Sequence, residues 1–348
     1  MAMLADSIDL VIGVDTHKAT HTAALVGPTG VVLDTLTCPT DRSGLDRLLR
    51  FGRRHPTDRR LWVLEGTGCY GAGLTEFLTT AGEAVAEIDR PRRPARRHGA
   101  RSDPLDAVRA AREALGRDHL GVPRRRGERE ALRVLLVTRE AVAGERRRAL
   151  NQLHALIVSA PDELRAGLRS LHGARLVRRC AGLRQIAGRT AEAAATVQVI
   201  RLTARRIGQA TAMASELGVE IKMLVRAMAP QLLTEPGVGP LTAGWLLVAW
   251  SHAGRVRSEA AFAMLAGAAP IPASSGQTVR HRLNRSGDRI LNRTLHTIVQ
   301  SRLRHDPDTQ AYAARRRAEG RTDREITRCL KRFVARGLYR TLERTAKG

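Results

Sequence analysis

The sequence is poor in aromatic residues and has no closely spaced cysteines. Phe, Trp and Tyr make up 3% of the 348 residues, so a surface of aromatic rings that stack on single-stranded bases is not expected. The four cysteines form no CxxC pair, which argues against a zinc site and against a disulfide framework. We expect reduced, buried thiols at these positions, which are Cys38, Cys69, Cys180 and Cys329.

Long hydrophobic runs are also missing. No apolar segment approaches the length of about 18 residues that a membrane span needs, and the N-terminal segment MAMLADSIDL contains acidic residues, unlike a signal peptide. We therefore expect a cytoplasmic, nucleoid-associated bacterial protein with no membrane partner.

Acidic residues are scarce relative to basic ones. The 59 Lys and Arg residues outnumber 34 Asp and Glu residues, which gives a net charge of +25. A GC-rich genome explains why nearly all the cations are arginine, but it does not explain the missing acids. Basic runs such as RPRRPARR, PRRRGER and ARRRAEGR recur along the chain, and they favour a polyanionic partner bound through its phosphates.

The first third of the chain has the pattern of an α/β domain. Three β-rich runs, DLVIGVD, HTAALVG and VVLDTLT, come first, and PTG between the last two indicates a hairpin. A helix, a strand, a helix, a strand and a helix that starts at Asp103 follow. The order βββαβαβα is that of a ribonuclease-H-like (RuvC-like) fold. An actin-like kinase begins similarly, but it needs further glycine-rich phosphate loops that this chain lacks.

The remainder of the chain is mainly helical in pattern. Two long segments between residues 128 and 228 predict long helices, either a plain spacer or a coiled coil. The segment EPGVGPLTAGWLLVAW then predicts a tight turn into a buried helix, or a helix-hairpin-helix-like loop that faces a phosphate. A basic helical tail begins at about Ser301. We expect three parts, residues 1–122, 123–228 and 229–348.

Four acids lie where a ribonuclease-H-like fold would gather them. Asp15 and Glu65 end predicted strands, and Asp103 and Asp106 open the late helix. The last two are also suited to capping that helix, with Asp103 as N-cap and Asp106 in the first turn. Converging carboxylates repel one another unless a cation neutralises them. We therefore predict that the four acids bind two Mg²⁺ ions about 4 Å apart, with Mn²⁺ as an alternative ion.

Two histidines and a serine pair have simpler interpretations from the residues alone. His17 and His21 have no partners spaced for a zinc site, so they are interpreted as local polar packing. Ser274 and Ser275 in the loop PASSG are interpreted as turn formers.

Five segments together resemble the insertion-sequence-110 (IS110) family of transposases. They are IGVDTHKATHTAAL, VLEGTGCYG, RSDPLDAVRAA, PGVGPLTA and APIPASSG with the following RSGDRILNRTL, and they span nearly the whole chain. The resemblance implies a RuvC-like domain with an Asp-Glu-Asp-Asp site, matching Asp15, Glu65, Asp103 and Asp106. It also implies a C-terminal transposase domain with a nucleophilic serine.

The resemblance changes the interpretation of the serine loop. The nucleophile is expected in PASSG, directly before Gly276, which makes it Ser275 with Ser274 as the competitor. A serine ester of the cut phosphodiester would allow rejoining without ATP. Arginines near the loop and before the late helix are expected to hold the phosphates; they are Arg92, Arg93, Arg96, Arg97, Arg101, Arg280, Arg282 and Arg285.

The resemblance also implies partners. These are DNA, as element ends and target, and a structured noncoding guide RNA (bridge RNA) that selects both by base pairing. A homo-oligomer, dimer or tetramer, is expected because the acids and the serine need not meet within one subunit. Two other hypotheses stay open: a Holliday-junction-resolvase-like or RNase-H-type metal nuclease that uses water, and an inactive nucleic-acid-binding relic of a transposase.

Overall fold

The computed structural model describes residues 3–88, 102–184, 190–273 and 281–346. They divide into two compact units. Unit 1 comprises Met1–Arg126 with Gly254–Arg257, and unit 2 comprises Gly127–Ala253 with Ser258–Gly348.

A mixed five-stranded sheet forms the centre of unit 1. Its spatial order is β3-β2-β1-β4-β5; β1, β2 and β3 are antiparallel, and β4 and β5 run parallel to β1. The structure confirms the predicted mixed α/β sheet and the hairpin at PTG. The strands are β1 (Leu10–Thr16), β2 (Thr20–Val26), β3 (Val32–Pro39), β4 (Arg60–Glu65) and β5 (Val85–Ile88).

Three helices cover the two faces of this sheet, and they are α1 (Arg42–Arg53), α2 (Ala72–Thr80) and α3 (Asp103–Leu115). Alternate strand residues point to opposite faces, so Val11 packs with α3 whereas Ile12 packs in the layer of α1 and α2. Both faces are therefore buried, which explains why β1 and β4 consist mainly of continuous apolar runs.

Gly13 of β1 sets how closely α3 approaches the sheet. A Cβ atom at this position would lie 2.1 Å from the carbonyl oxygen of Ala107 and 2.8 Å from the backbone nitrogen of Ala111. Real side chains do not make such contacts, so only glycine fits here. The small residues on both elements bring the start of α3 beside the end of β1, where two of the predicted site acids lie.

Glu83 holds the opposite end of the sheet together. Its carboxylate accepts hydrogen bonds from Arg53 Nε and Arg60 Nε, both at 2.8 Å, and from Trp62 Nε1 at 2.9 Å. Burial alone would raise the pKa of Glu83, but these three donors outweigh burial and lower the pKa to about 2.

Replacing Glu83 by Gln is therefore expected to lower the free energy of unfolding by about 3 kcal/mol, because the largely buried Arg60 and the half-exposed Arg53 both lose their counter-charge. Glu76→Gln is the control, since Glu76 forms an exposed ion pair with Arg126.

The contribution of Glu83 to stability also depends on pH. Because the pKa of Glu83 is lower in the folded state, this contribution is complete above pH 4.5 and is lost as the pH falls towards 2. Urea unfolding followed by circular dichroism checks this; equal stability of the two variants would contradict it.

Unit 2 is built from helices and one short hairpin. Two long helices run antiparallel along each other, as Arg139 Nε bonds to the Ala214 carbonyl at 3.1 Å and Arg146 Nε bonds to Thr211 Oγ1 at 2.9 Å. The predicted helix-rich remainder is confirmed. The helices are α4 (Glu128–Val158), α5 (Asp162–Ala166), α6 (Gly173–Ala181), α7 (Ala191–Met228), α8 (Pro240–Trp250), α9 (Glu259–Leu265), α10 (Arg289–His305), α11 (Pro307–Ala318) and α12 (Asp323–Thr345), and the hairpin strands are β6 (Ile271–Pro272) and β7 (His281–Arg282).

The segment PGVGPLTAG is a tight turn into a buried helix. Gly237 has φ +74°, and a Cβ there would lie 2.8 Å from the Ile298 carbonyl oxygen of α10. Seven of the eight residues of α8 from Ala243 to Trp250 are buried. The turn thus packs on α10, which is the simpler of the two predicted structures for this segment.

The predicted burial of the cysteines is wrong in part. Cys38 and Cys180 are free and buried, but Cys69 is exposed and Cys329 is half-buried. Cys69 lies in the turn that follows β4, where the chain leaves the sheet. None of the described helices is both long enough and apolar enough to cross a lipid bilayer.

Candidate active site

The end of β1 carries a cluster of metal-ligating side chains. One ligand atom each from Asp15, His17 and Asp103 can be chosen so that all three lie within 4.8 Å of one another. His17 Nδ1 is 3.8 Å from Asp15 Oδ2 and 3.6 Å from Asp103 Oδ2. No other group of this kind occurs among the described residues. We call Asp15, His17 and Asp103 the acidic trio.

Local structure at the start of α3 brings Asp103 to this place. Ser102 is extended, with φ −155° and ψ 148°, and occupies the N-cap position, so Asp103 is the first helical residue and Pro104 the second. The prediction that Asp103 is the N-cap is therefore wrong. Its carboxylate instead lies beside the end of β1, close to His17. Gly13 allows this by letting α3 pack closely on the strand.

The electrostatics of the trio favour a bound cation. Burial raises the pKa of Asp15, and the negative charges of Asp103 and Asp106 raise it further, whereas His17 lowers it. Asp15 is only 15% exposed. Repulsion of this kind destabilises the protein unless a positive charge relieves it, and carboxylate oxygens are ligands that divalent cations prefer. The residues present therefore fit a divalent metal ion.

Asp106 and Glu65 lie near the trio but outside it. Asp106 is in the first turn of α3, as predicted, and its carboxylate accepts a hydrogen bond from Arg109 Nη1 at 2.6 Å. Glu65 ends β4, directly after the residue that pairs with Val14, and its carbonyl oxygen accepts a 2.9 Å hydrogen bond from Thr16 Oγ1. The structure thus brings Asp15 and Asp103 together, with Asp106 and Glu65 on the flanking elements.

His17 is the member of the trio that sequence interpretation assigned to packing. Its backbone N–H bonds to the Thr20 carbonyl and closes the turn between β1 and β2. The i, i+2 spacing of Asp15 and His17 at a strand end places both side chains on one face of the sheet. This spacing was the feature of the sequence that could have indicated His17 as part of the site. His21, in contrast, is buried in β2, where burial and the charge of His17 lower its pKa.

The predicted serine loop and arginine clamp fall largely outside the described residues. This applies to Ser275 and its competitor Ser274, and to Arg92, Arg93, Arg96, Arg97, Arg101 and Arg280. The flanks of the loop are described. Ile271 pairs with Arg282 and Pro272 pairs with His281, so β6 and β7 form an antiparallel pair on either side of residues 274–280 in the sequence.

Arg282 and Arg285 line a cavity of about 1000 Å³ in unit 2. Among the residues that the structure describes, seven arginines and one lysine contribute to its wall, against a single carboxylate, Asp323. The wall comes from the end of α9, from β7 and the segment after it, from α10 and from α12. We call this the basic cavity.

Comparison with known proteins relates both parts of the chain to one family. Residues 12–160 match the family model DEDD_Tnp_IS110, described as Transposase. Residues 229–314 match a second model, described as Transposase IS116/IS110/IS902 family. The acidic trio lies within the first match, and much of the basic cavity lies within the second.

A curated relative from Streptomyces coelicolor (strain ATCC BAA-471 / A3(2) / M145) is named "Insertion element IS110 uncharacterized 43.6 kDa protein". It is 34% identical over 109 residues, which is 30% of this chain and 27% of the relative. The match thus spans about a quarter of that protein's length. Together with the two family models, which jointly cover about two thirds of the chain, it shows that the chain belongs to the IS110 family of transposases.

Proposed function

We propose that this protein is a DNA transposase that cuts and rejoins DNA through a serine-phosphodiester intermediate. The observation that carries the proposal is the meeting of Asp15 and Asp103 at the end of β1, within the segment that matches the DEDD transposase model. Two carboxylates brought together at the cost of mutual repulsion suit a site for phosphoryl transfer.

The topology of unit 1 supports a ribonuclease-H-like, RuvC-like domain. The first three strands are antiparallel, and β4 and β5 extend the sheet from the other side of β1. We propose that residues 1–122 form this domain, that residues 123–228 are a helical linker in which α4 and α7 form an antiparallel pair, and that residues 229–348 form the transposase domain.

Asp15, Glu65, Asp103 and Asp106 are proposed to hold two Mg²⁺ ions, or Mn²⁺. Such ions polarise phosphate oxygens and lower the pKa of an attacking hydroxyl. Two further residues position the acids. Gly13 lets α3 pack closely on β1, and Arg109 donates a hydrogen bond to the Asp106 carboxylate. His17 Nδ1 lies 3.8 Å from Asp15 Oδ2 and 3.6 Å from Asp103 Oδ2, so it offers a further ligand atom there.

The serine step is proposed for Ser275. Its Oγ gives up its proton and attacks the phosphorus of the scissile phosphodiester, and the bond from phosphorus to a deoxyribose oxygen breaks. That oxygen takes up a proton and leaves as a free hydroxyl, so the step neither gains nor loses a proton overall. A deoxyribose hydroxyl of another strand then attacks the same phosphorus and releases the serine. Arg282 and Arg285, in the wall of the basic cavity, supply positive charge for the phosphate.

The partners are proposed to be the DNA of the element ends and target, together with a structured noncoding guide RNA. The net charge of +25 and the low aromatic content suit binding through phosphate backbones. The protein is proposed to act in the cytoplasm of a bacterium, associated with the nucleoid.

A homo-oligomer, dimer or tetramer, is proposed to form through α7. Five apolar residues of this helix are exposed in the single chain, and they are Val199, Leu202, Met213, Val219 and Met223. Leu202 and Met213 are spaced by three helical turns and share one side of the helix.

Replacing both Leu202 and Met213 by Glu is therefore expected to convert the oligomer to a monomer, because the two carboxylates cannot be buried unpaired at an apolar contact. Light scattering on the nucleic-acid complex measures this. Val158→Glu is the control, since Val158 is 71% exposed but lies at the end of α4. A strictly monomeric wild-type protein on DNA and RNA would contradict the proposal.

The proposed activity is tested by a strand-transfer assay. The full-length protein, DNA that carries an element end, target DNA and the RNA transcribed beside the gene are incubated with Mg²⁺ and without ATP. We expect joined products, and none with EDTA. Cleaved but unjoined ends would instead support the water-dependent nuclease, and binding without cleavage would support the inactive relic.

A further inference from the structure

Lys331 stands out in the wall of the basic cavity. It is one of four lysines in a chain whose cations are almost all arginine, and it lies on α12. Its side chain is half-buried and lines the cavity together with residues of α10. Neither the acidic trio nor the serine loop accounts for a lysine at this place.

A chain of hydrogen bonds fixes the position of the Lys331 ammonium group. Lys331 Nζ donates to Asn292 Oδ1 at 2.6 Å, and Asn292 Nδ2 donates to the Ala266 carbonyl oxygen at 2.7 Å. The amide of Asn292 is therefore oriented with its oxygen towards the lysine. Because an ammonium group has three N–H donors, this bond leaves further donors for a ligand.

The backbone around Ala266, where this chain of hydrogen bonds ends, is tightly packed. A Cβ on Gly287 would lie 2.2 Å from the Gly267 nitrogen, so the segment after β7 runs in direct contact with the end of α9. The Asp288 N–H donates to the Leu265 carbonyl oxygen at 2.7 Å and adds to this contact. Ala266, whose carbonyl oxygen accepts the hydrogen bond from Asn292, is thus part of a closely packed wall.

Positive charge exceeds negative charge in the described wall around Lys331. The one carboxylate of the wall, Asp323, pairs with Arg317 at 2.8 Å, and Arg293 pairs with Glu140 outside the cavity. Among the residues that the structure describes, no ion pair within 4.0 Å engages Lys331 or six arginines of the wall, which are Arg282, Arg285, Arg289, Arg324, Arg328 and Arg332. Burial lowers the pKa of Lys331, and the charge of Arg328 lowers it further. Such an accumulation of charge is stabilised by a bound polyanion.

The lining also indicates which part of a nucleic acid the cavity contacts. No Phe, Tyr or Trp lines its described wall, so base stacking does not contribute and phosphates are the groups recognised. The wall includes β7, which directly follows the proposed nucleophile segment in the sequence. Because β7 follows this segment directly, we expect the cavity to bind the strand that is cut, which is DNA.

We propose that Lys331, held by Asn292, binds a phosphate of the DNA strand in the basic cavity. The inference rests on the proposed function for the choice of DNA, but it concerns binding and does not require the serine chemistry. The ammonium group donates to a nonbridging phosphate oxygen, and Asn292 keeps it from turning away.

The proposal predicts a specific pH dependence of DNA affinity. The contribution of Lys331 is present while its amine is protonated and is lost as the pH rises through its lowered pKa. The other titratable groups of the described wall are His281, His296, Cys329 and Asp323. An arginine at position 331 would stay charged over the same range, so Lys331→Arg separates the lysine from these groups.

The test is fluorescence anisotropy of the full-length protein with a short labelled DNA duplex. Lys331→Met is expected to weaken binding about tenfold, which corresponds to one charge-assisted phosphate contact, and to reduce the salt slope of log K by about 1. Lys222→Met, which removes the same charge from an exposed position on α7, is the control and should change affinity less than about twofold. Lys331→Arg is expected to keep the affinity at pH 7 and to lose the decline at higher pH.

Equal effects of Lys331→Met and Lys222→Met would overturn the proposal, as would a loss confined to a structured RNA probe with DNA binding intact. A decline with pH that persists in Lys331→Arg would assign the titration to another group and would equally contradict it. Circular dichroism of each variant checks folding. Because the readout is binding, failure to find a serine adduct would disprove the proposed chemistry and leave this result standing.

Discussion

Replacing Asp15 by Asn is expected to reduce DNA strand cleavage about a thousandfold or more, while DNA and RNA binding stay within about twofold. Asp15 and Asp103 lie together with His17 at the end of β1. Asn keeps the shape of the side chain but removes the charge that a divalent ion needs. Cleavage of a labelled element-end substrate in Mg²⁺ measures the effect.

The same variant is expected to be at least as stable as the wild type without metal. Burial and the charges of Asp103 and Asp106 disfavour the ionised Asp15, so removing its charge relieves repulsion. Adding Mg²⁺ should raise the melting temperature of the wild type and not that of Asp15→Asn, because a ligand stabilises only the state that binds it. Asp46→Asn is the control, as Asp46 forms only an exposed pair with Arg42.

Substantial cleavage by Asp15→Asn in Mg²⁺ would exclude the acidic trio as the catalytic metal site. An unchanged melting temperature of the wild type on addition of Mg²⁺, together with normal cleavage in EDTA, would exclude metal use at this site altogether.

Replacing Ser275 by Ala is expected to abolish a covalent protein–DNA adduct that survives denaturing gel electrophoresis. Ser274→Ala is the matched control, since it removes the same hydroxyl one residue earlier, and it should retain the adduct. The physical reason is that only an ester to the protein conserves the energy of the broken phosphodiester for rejoining. The adduct should require Mg²⁺ and should be lost in Asp15→Asn.

An adduct that is lost in Ser274→Ala and retained in Ser275→Ala would shift the nucleophile by one residue. If neither substitution changes strand cleavage and no adduct forms, the acids alone carry the reaction with water as the nucleophile.

The sheet of unit 1 was predictable because its signals are local. Short β-rich runs, the PTG turn and the short connections specify β1, β2 and β3 without reference to distant parts of the chain. The start of α3 was predicted to within a residue, but the N-cap was assigned to Asp103 instead of Ser102. Serine and aspartate are both common N-cap residues, so residue type alone does not decide between Ser102 and Asp103. The position of Asp103 depends on its contact with the end of β1, which is distant in the sequence.

The composition of the candidate site was predictable only in part. The sequence indicated Asp15 and Asp103, whereas His17 was assigned to packing because no zinc-like spacing includes it. Its contact with Asp103 depends on how closely α3 approaches β1, and that distance is set by Gly13 opposite Ala107. A packing distance between two elements is not encoded in the periodicity of either one.

The basic cavity could not be predicted from local patterns. Ala266, Asn292 and Lys331 come from the end of α9, from α10 and from α12, and no motif joins residues so far apart in the chain. The sequence showed an excess of arginine, but it did not show that a lysine would be held by a fixed amide within that charge.

Cleavage and joining in water labelled with ¹⁸O test most directly whether the protein or water attacks the phosphodiester. If a serine ester is the intermediate, the rejoined DNA should contain no ¹⁸O at the exchanged phosphate, because each new phosphorus–oxygen bond comes from a hydroxyl of the protein or of DNA. Mass spectrometry of the isolated junction gives the answer. Stoichiometric ¹⁸O on the phosphate of every cleaved strand, with no joined product, would show hydrolysis by water and would contradict the assignment of this chain as a serine-dependent transposase.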